Sequence, residues 1–217
     1  MIAIEAANGS LGFVERPPGG TVAYVDADWI PRAGGASPAL LVSAEGTVAW
    51  SGRATGVAVP GRSADAAAGL VLDALAVAAA SVARSAPGSH GHVYGEGIVA
   101  GWVRDRLGAL SDRADGAPGV VVDTTVDSDT LSSATRIVED LGTVVLAAGA
   151  NDRAVTLDLY PDVHVRGLRL VAAAPALEHV LHVPDAEAER LAEAVREAAV
   201  DVHPGEPLPR APLYRLA

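Results

Sequence analysis

His92-Val93-Tyr94-Gly95-Glu96-Gly97-Ile98-Val99-Ala100-Gly101-Trp102 is the stretch that decides the fold. His92-Val93-Tyr94 reads as a short strand, and 102–107 continue as a helix that ends at Gly108. Between them, Gly95-x-Gly97-x-x-Ala100 has the spacing of a phosphate-cradling turn. The first glycine permits the tight turn, the second lets a pyrophosphate approach the backbone, and the small third residue lets helix and strand pack closely. The amino end of the helix would then face the phosphates with its positive dipole end. Chance matches are easy in a chain with 23 glycines, so the flanking strand and helix carry the reading.

Working outward, Val120-Val121-Val122-Asp123 is a buried apolar run entered through Pro118-Gly119. Residues 127–141 are expected to be helical, with Leu131, Ala134, Ile137, Val138 and Leu141 on one face and Gly142 as the stop. A third strand follows at 143–147. This alternation predicts a parallel sheet with right-handed crossovers. Upstream, 1–62 carry strand signals at 21–25 and 39–43, punctuated by Pro17-Pro18-Gly19-Gly20, Gly34-Gly35 and Pro60-Gly61. Ser63 is the expected N-cap of an Ala-rich helix reaching about 84. Downstream, 154–157 and 168–172 look β-like, and Asp185 is the expected N-cap of a last helix over 186–199. The tail from 203 to 217 holds four prolines and is expected to be irregular.

Composition narrows the chemistry. Half of the 217 residues are hydrophobic but only 4% are aromatic, so the core must be built from Ala, Val and Leu, which suits helix–sheet layers. All 16 basic residues are Arg, so neither a Schiff-base nor a P-loop lysine exists. A net charge of −11 argues against nucleic acid or an anionic membrane as partner. The absence of Cys removes disulfides, thiolate nucleophiles and cysteine-ligated zinc. With no basic-then-apolar leader at the start, the expected location is the cytoplasm.

Several segments in order resemble the medium-chain dehydrogenase/reductase superfamily, the zinc-type alcohol dehydrogenases and their relatives. Leu11, Phe13, Glu15 and Pro17-Pro18 resemble its first hairpin, and the helix at 66–83 resembles the one that precedes its cofactor domain. Val121-Val122-Asp123-Thr124-Thr125 resembles its fourth sheet strand, and Leu141-Gly142-Thr143-Val144-Val145-Leu146-Ala147 its fifth. The stretch from Leu157 to Leu168 resembles the approach to the sixth, an interface strand in that family. Val200-Asp201-Val202-His203-Pro204 onward resembles its return to the first domain. The resemblance implies an α/β fold: a reduced, β-rich GroES-like part (1–62 with 200–217) and a shortened Rossmann-like parallel sheet with helices on both faces (63–199).

The same resemblance shows losses. Members are usually considerably longer. The zinc-dependent ones need a Cys and a Gly-His-Glu segment, and this sequence has neither. An acidic residue about 20 positions beyond the glycines normally holds the ribose. Here that position is Ala117, and the candidate Asp112 follows too short a run, Ala109-Leu110-Ser111, to end a normal strand. Strands two and three therefore look deleted, leaving a sheet in the order 1-4-5-6 with its first strand as an edge. No cofactor is expected to be required, and NAD(P) remains an alternative.

Glu96, Asp123 and Tyr94 are the candidate catalytic residues. Gly95, Gly97, Ala100 and Thr124 are the contacts expected if a nucleotide or phosphate binds. Tyr94, Asp123 and Thr124 sit at strand carboxyl ends, where open α/β sheets place ligands. No metal site is expected: His90 and His92 read as polar residues flanking Gly91, and His179 and His182 lack a partner at ligand spacing. Asp158, Tyr160, Asp162 and His164 read as structural. The expected function is binding of a small organic molecule by a zinc-free, non-redox enzyme of specialised metabolism. The alternatives are an NAD(P)-dependent oxidoreductase with atypical cofactor binding and a non-catalytic dimeric subunit or scaffold. A homodimer or a heteromeric partner is expected.

Overall fold

The computed structural model describes residues 3–15, 18–32, 34–51, 56–87, 90–108, 116–125, 127–149, 155–175 and 180–216. Its strands are β1 (Ile4–Ala7), β2 (Ser10–Phe13), β3 (Val22–Asp26), β4 (Gly35–Ser37), β5 (Leu40–Val42), β6 (Thr47–Trp50), β7 (Gly56–Ala58), β8 (Gly91–Tyr94), β9 (Val120–Asp123), β10 (Thr143–Leu146), β11 (Arg169–Ala172), β12 (Ala199–Asp201) and β13 (Leu213–Leu216). Among the described residues four α-helices join them: α1 (Ala64–Ser85), α2 (Ile98–Leu107), α3 (Ser128–Ile137) and, after Pro184, α4 (Asp185–Ala198). Asp112, His179, the 109–111 run and Ala154 lie outside the described residues.

The short strands of the first 58 residues are separated by glycine and proline turns and form antiparallel sheets. One has the order β2-β1-β4 and the other β12-β13-β3-β5-β6-β7, in which β12 and β13 are parallel. The end of the tail is therefore not irregular. Its last proline is Pro212, after which Leu213 and Leu216 are fully buried and pair with Asp26 and Ala23 of β3. The remaining strands make a parallel sheet ordered β11-β10-β9-β8, the order expected from the sequence, with β8 at one edge.

α1 is the hub. Ser63 caps it by accepting the Ala66 N–H at 3.2 Å. It is long and apolar enough to cross a membrane, yet it packs inside the protein, against α2, α4 and both larger sheets. At Gly69 the α4 backbone comes so close that a Cβ would lie 3.0 Å from the Leu191 carbonyl oxygen. One apolar core runs from Tyr24, Trp29 and Leu40 through Leu72 and Leu75 to Val103, Val122 and Val145. Two smaller cores lie between the antiparallel sheets (Ile4, Leu11, Val25, Leu216) and beneath α3 (Val121, Leu131, Val144).

Boundaries differ from expectation in places with identifiable causes. α2 begins at Ile98, directly after the second glycine, rather than near 102. α3 stops at Ile137 because Glu139 donates to the Pro118 carbonyl (2.9 Å) and Leu141 to that of Arg166 (2.8 Å). Leu141 is thereby turned out of the helical face: it is 70% exposed, at φ +65°. Residues 155–157 form no strand, and Pro184 rather than Asp185 is the N-cap of α4. Tyr160–His164 is a π-helical turn, so the Asp158 to His164 alternation does not correspond to a strand.

Candidate functional site

β3 ends at Asp26, and Ala27 and Asp28 follow it. A period of two puts Asp26 on the face of Tyr24, which looks toward α1. Asp26 accepts the Asp28 N–H at 2.9 Å and so caps a 3-10 turn, Ala27–Trp29. That local geometry aims two carboxyl groups at the loop between β8 and α2. Asp26 is fully buried, and its Oδ2 accepts the Val99 N–H at 3.0 Å. Asp28 Oδ1 accepts the Glu96 N–H at 2.7 Å. Its Oδ2 lies 2.6 Å from the buried Thr124 hydroxyl, which is also 2.8 Å from the Tyr94 carbonyl oxygen and has one proton for the two. The Ile98 N–H is taken as well, by the Pro212 carbonyl at 3.3 Å, which also accepts from Ala27 at 3.1 Å.

The glycines are explained by this contact. A Cβ on Gly97 would lie 1.7 Å from Asp26 Oδ1, and one on Gly95 would lie 2.2 Å from Asp28 Oδ2 and 2.1 Å from Thr124 Oγ1. Gly95 also has φ +126°, a backbone region that side chains rarely adopt. Arg104 of α2 reaches back to the carbonyls of Val93, at 3.1 Å, and of Gly95, fixing the turn from its other side. Ala100 is wholly buried in the main core, as the small third position requires. Burial first, and then the nearby Asp28 carboxyl, push the Asp26 carboxyl up to about 8, against the backbone N–H groups that hold its charged form.

The other predicted residues are placed less centrally. Asp123 is buried, and its Oδ1 accepts the Thr125 N–H (2.9 Å) and hydroxyl (2.8 Å). Burial is the largest cause that raises it to about 6. Tyr94 packs beside α3's core with its ring edge-on to His92, and burial and Asp123 push its phenol up. Burial, then Arg104, pull His92 down. No sequence motif marks Asp26, Asp28 or Arg104. The available signal was an acid at the inward-facing end of an apolar strand.

Above the turn lies an open cleft of about 1190 Å³ between the β1–β4 sheet and the carboxyl ends of β8 and β9. Asp28, Glu96, Thr125, Asp127, Arg32 and Arg210 line it, so of the predicted residues only Glu96 reaches it. Arg210 pairs with Glu96 at 2.8 Å, both side chains largely in solvent, and the exposed Arg32 pairs with the mostly buried Asp127 at 3.5 Å. Among the described residues no three His, Asp or Glu side chains cluster as a metal site.

No protein-family model matches the sequence, and no curated protein matches it. Solved structures do. A protein from Sinorhizobium meliloti 1021 assigned as a zinc-binding dehydrogenase, crystallised with NADP, superposes with a TM-score of 0.52 at 10% identity, covering 99% of this chain and 98% of that one. Staphylococcus aureus TarJ gives 0.50 at 10% identity over 100% and 99% of the two chains. Its complex with NADPH gives 0.50 at 8% identity over 100% and 99%. The likeness is one of fold.

Of these neighbours, the Sinorhizobium protein holds NADP and is assigned as zinc-binding, and TarJ has been crystallised with NADPH. The residues here do not fit the dinucleotide in the pose of a glycine turn, because the space beside Gly95 and Gly97 and the amides of Glu96, Ile98 and Val99 are already used. They do not fit a cysteine-ligated zinc either, since the chain has no Cys.

Proposed function

We propose, starting from a chain that has the fold of the medium-chain dehydrogenases, that it binds a small organic molecule in the open cleft and acts on it by proton transfer, without zinc and without a nicotinamide cofactor. The observation that carries this is the placement of Asp28. It is the half-buried carboxyl at the foot of the cleft, held from behind by the Glu96 N–H and next to the Thr124 hydroxyl. A group fixed in this way is pre-oriented for accepting or donating a proton. Glu96 stands on the rim beside Arg210, in reach of the same volume. The acids Glu5, Asp28, Glu96 and Asp127 outnumber Arg32 and Arg210 along the walls, and both arginines are paired. Such a lining favours hydroxyl and ammonium donors over carboxylic acids. The context of specialised metabolism and a cytoplasmic location belong to this proposal.

Ligand-observed NMR with amino alcohols, polyols and hydroxy acids is the test. Saturation transfer is expected for the first two classes, to be lost in Asp28→Asn and weakened in Glu96→Gln. Silence of all three classes at millimolar concentration, or signals indifferent to Asp28→Asn, would sink the reading.

A homodimer through the outer edge of β11, which pairs only with β10 among the described residues, is part of the same proposal. Leu170 on that strand and Leu159, Tyr160 and Val165 before it are large apolar side chains left exposed. Sedimentation at rising concentration tests it, and a monomer throughout would count against it.

A further inference from the structure

We infer that the carboxyl groups of Asp26 and Asp28 occupy the place a phosphate would take, and that the glycine turn at 95–97 is a docking seam between the N-terminal β-sheet and α2 rather than a nucleotide site. A glycine turn ahead of a helix attracts anions for two reasons: free N–H groups converge there, and the missing Cβ atoms leave room. Both resources are used here by the chain itself. The amides of Glu96 and Val99 donate to Asp28 and Asp26, and that of Ile98 to the Pro212 carbonyl. The room beside Gly97 is filled by Asp26 Oδ1, at 1.7 Å from where a Cβ would stand.

Displacement by a phosphate would be costly on every count. Asp26 is completely buried and also caps the turn Ala27–Trp29, whose Trp29 is itself fully buried in the main core. Pro212, which seals the third amide, is followed directly by β13, paired along β3. A phosphate would have to unseat β3's end and the start of β13 together, and would meet Asp28 and the side chain of Glu96 as like charges. Three segments distant in sequence, 26–28, 95–99 and 212, are thus held at one point. This inference does not depend on what the cleft binds.

The test compares the wild type with Asp26→Ala/Asp28→Ala by thermal unfolding, with millimolar inorganic phosphate and pyrophosphate as probes and chloride at matched ionic strength as control. The double variant is expected to unfold at lower temperature and to regain several degrees with pyrophosphate, because the vacated amides again have an anion to bind. The wild type is expected not to respond. A folded double variant indifferent to both anions, or a wild type stabilised as strongly as the variant, would overturn the inference. Should the double variant fail to fold, the wild type decides alone through its amide NMR signals. Those of Glu96 and Val99 are expected to stay unmoved by pyrophosphate. Shifts of both amides on adding pyrophosphate would overturn it. The response of the wild-type amides to pyrophosphate tests this inference and the ligand signals of Asp28→Asn test the proposed function, so either can fail while the other stands.

Discussion

Asp26 carries the sharpest consequences at the scale of single residues. Its carboxyl keeps a proton in the fold to about 8, whereas an unfolded aspartate releases it near about 4. Folding therefore binds a proton between these values. The stability this contributes is complete below about pH 4 and lost as pH rises through the folded value. Asp123, raised to about 6, acts in the same direction over the lower part of that range. The melting temperature is thus expected to fall between pH 5 and 8 on account of these groups, and Asp26→Asn should flatten the upper part of the slope. A wild-type profile that rises through pH 6 to 8, unchanged by Asp26→Asn, would contradict the burial assigned to this group. Gly97→Ala is a second test. With Asp26 Oδ1 only 1.7 Å from the new methyl, a loss of about 1–3 kcal/mol is expected on denaturant unfolding. Gly101→Ala, with nothing within 4 Å of the added carbon, should cost nothing comparable.

At the scale of elements, α2 and β8 are tied by Arg104, which binds the Val93 and Gly95 carbonyls. Arg104→Gln should cost about 1.5–3 kcal/mol, the range for hydrogen bonds from a charged donor. Chemical denaturation measures it, and a neutral result would mean that the turn holds its shape unaided. How much could be read in advance follows from the kind of signal. The apolar runs of β9 and β10, the Ser63 cap and the strand–glycine–helix order were legible because each is local. The occupant of the glycine turn was not: Asp26 and Asp28 lie 73 and 68 residues from their amide partners Val99 and Glu96. Nothing local marks β13, because four prolines from 204 to 212 dominate a tail whose last residues pair with distant β3. Glu96 lines the open cleft, and Tyr94 and Asp123 are not part of its lining.

Across the whole molecule, the β-rich part and the parallel sheet share one core through α1, and the Asp26–Val99 seam joins them again at the surface of α2. A single cooperative unfolding transition is therefore expected when far-UV dichroism and tryptophan fluorescence are followed together, and two separated transitions would contradict that continuity. The same seam makes the molecule a dehydrogenase fold with its phosphate cradle closed from within. The most direct measurement of that claim is a crystal structure grown with millimolar NADPH. Asp26 at the Val99 amide and Asp28 at the Glu96 amide, with no pyrophosphate beside Gly97, is the expected result. A pyrophosphate on those amides, with the 26–28 segment swung away, would contradict it.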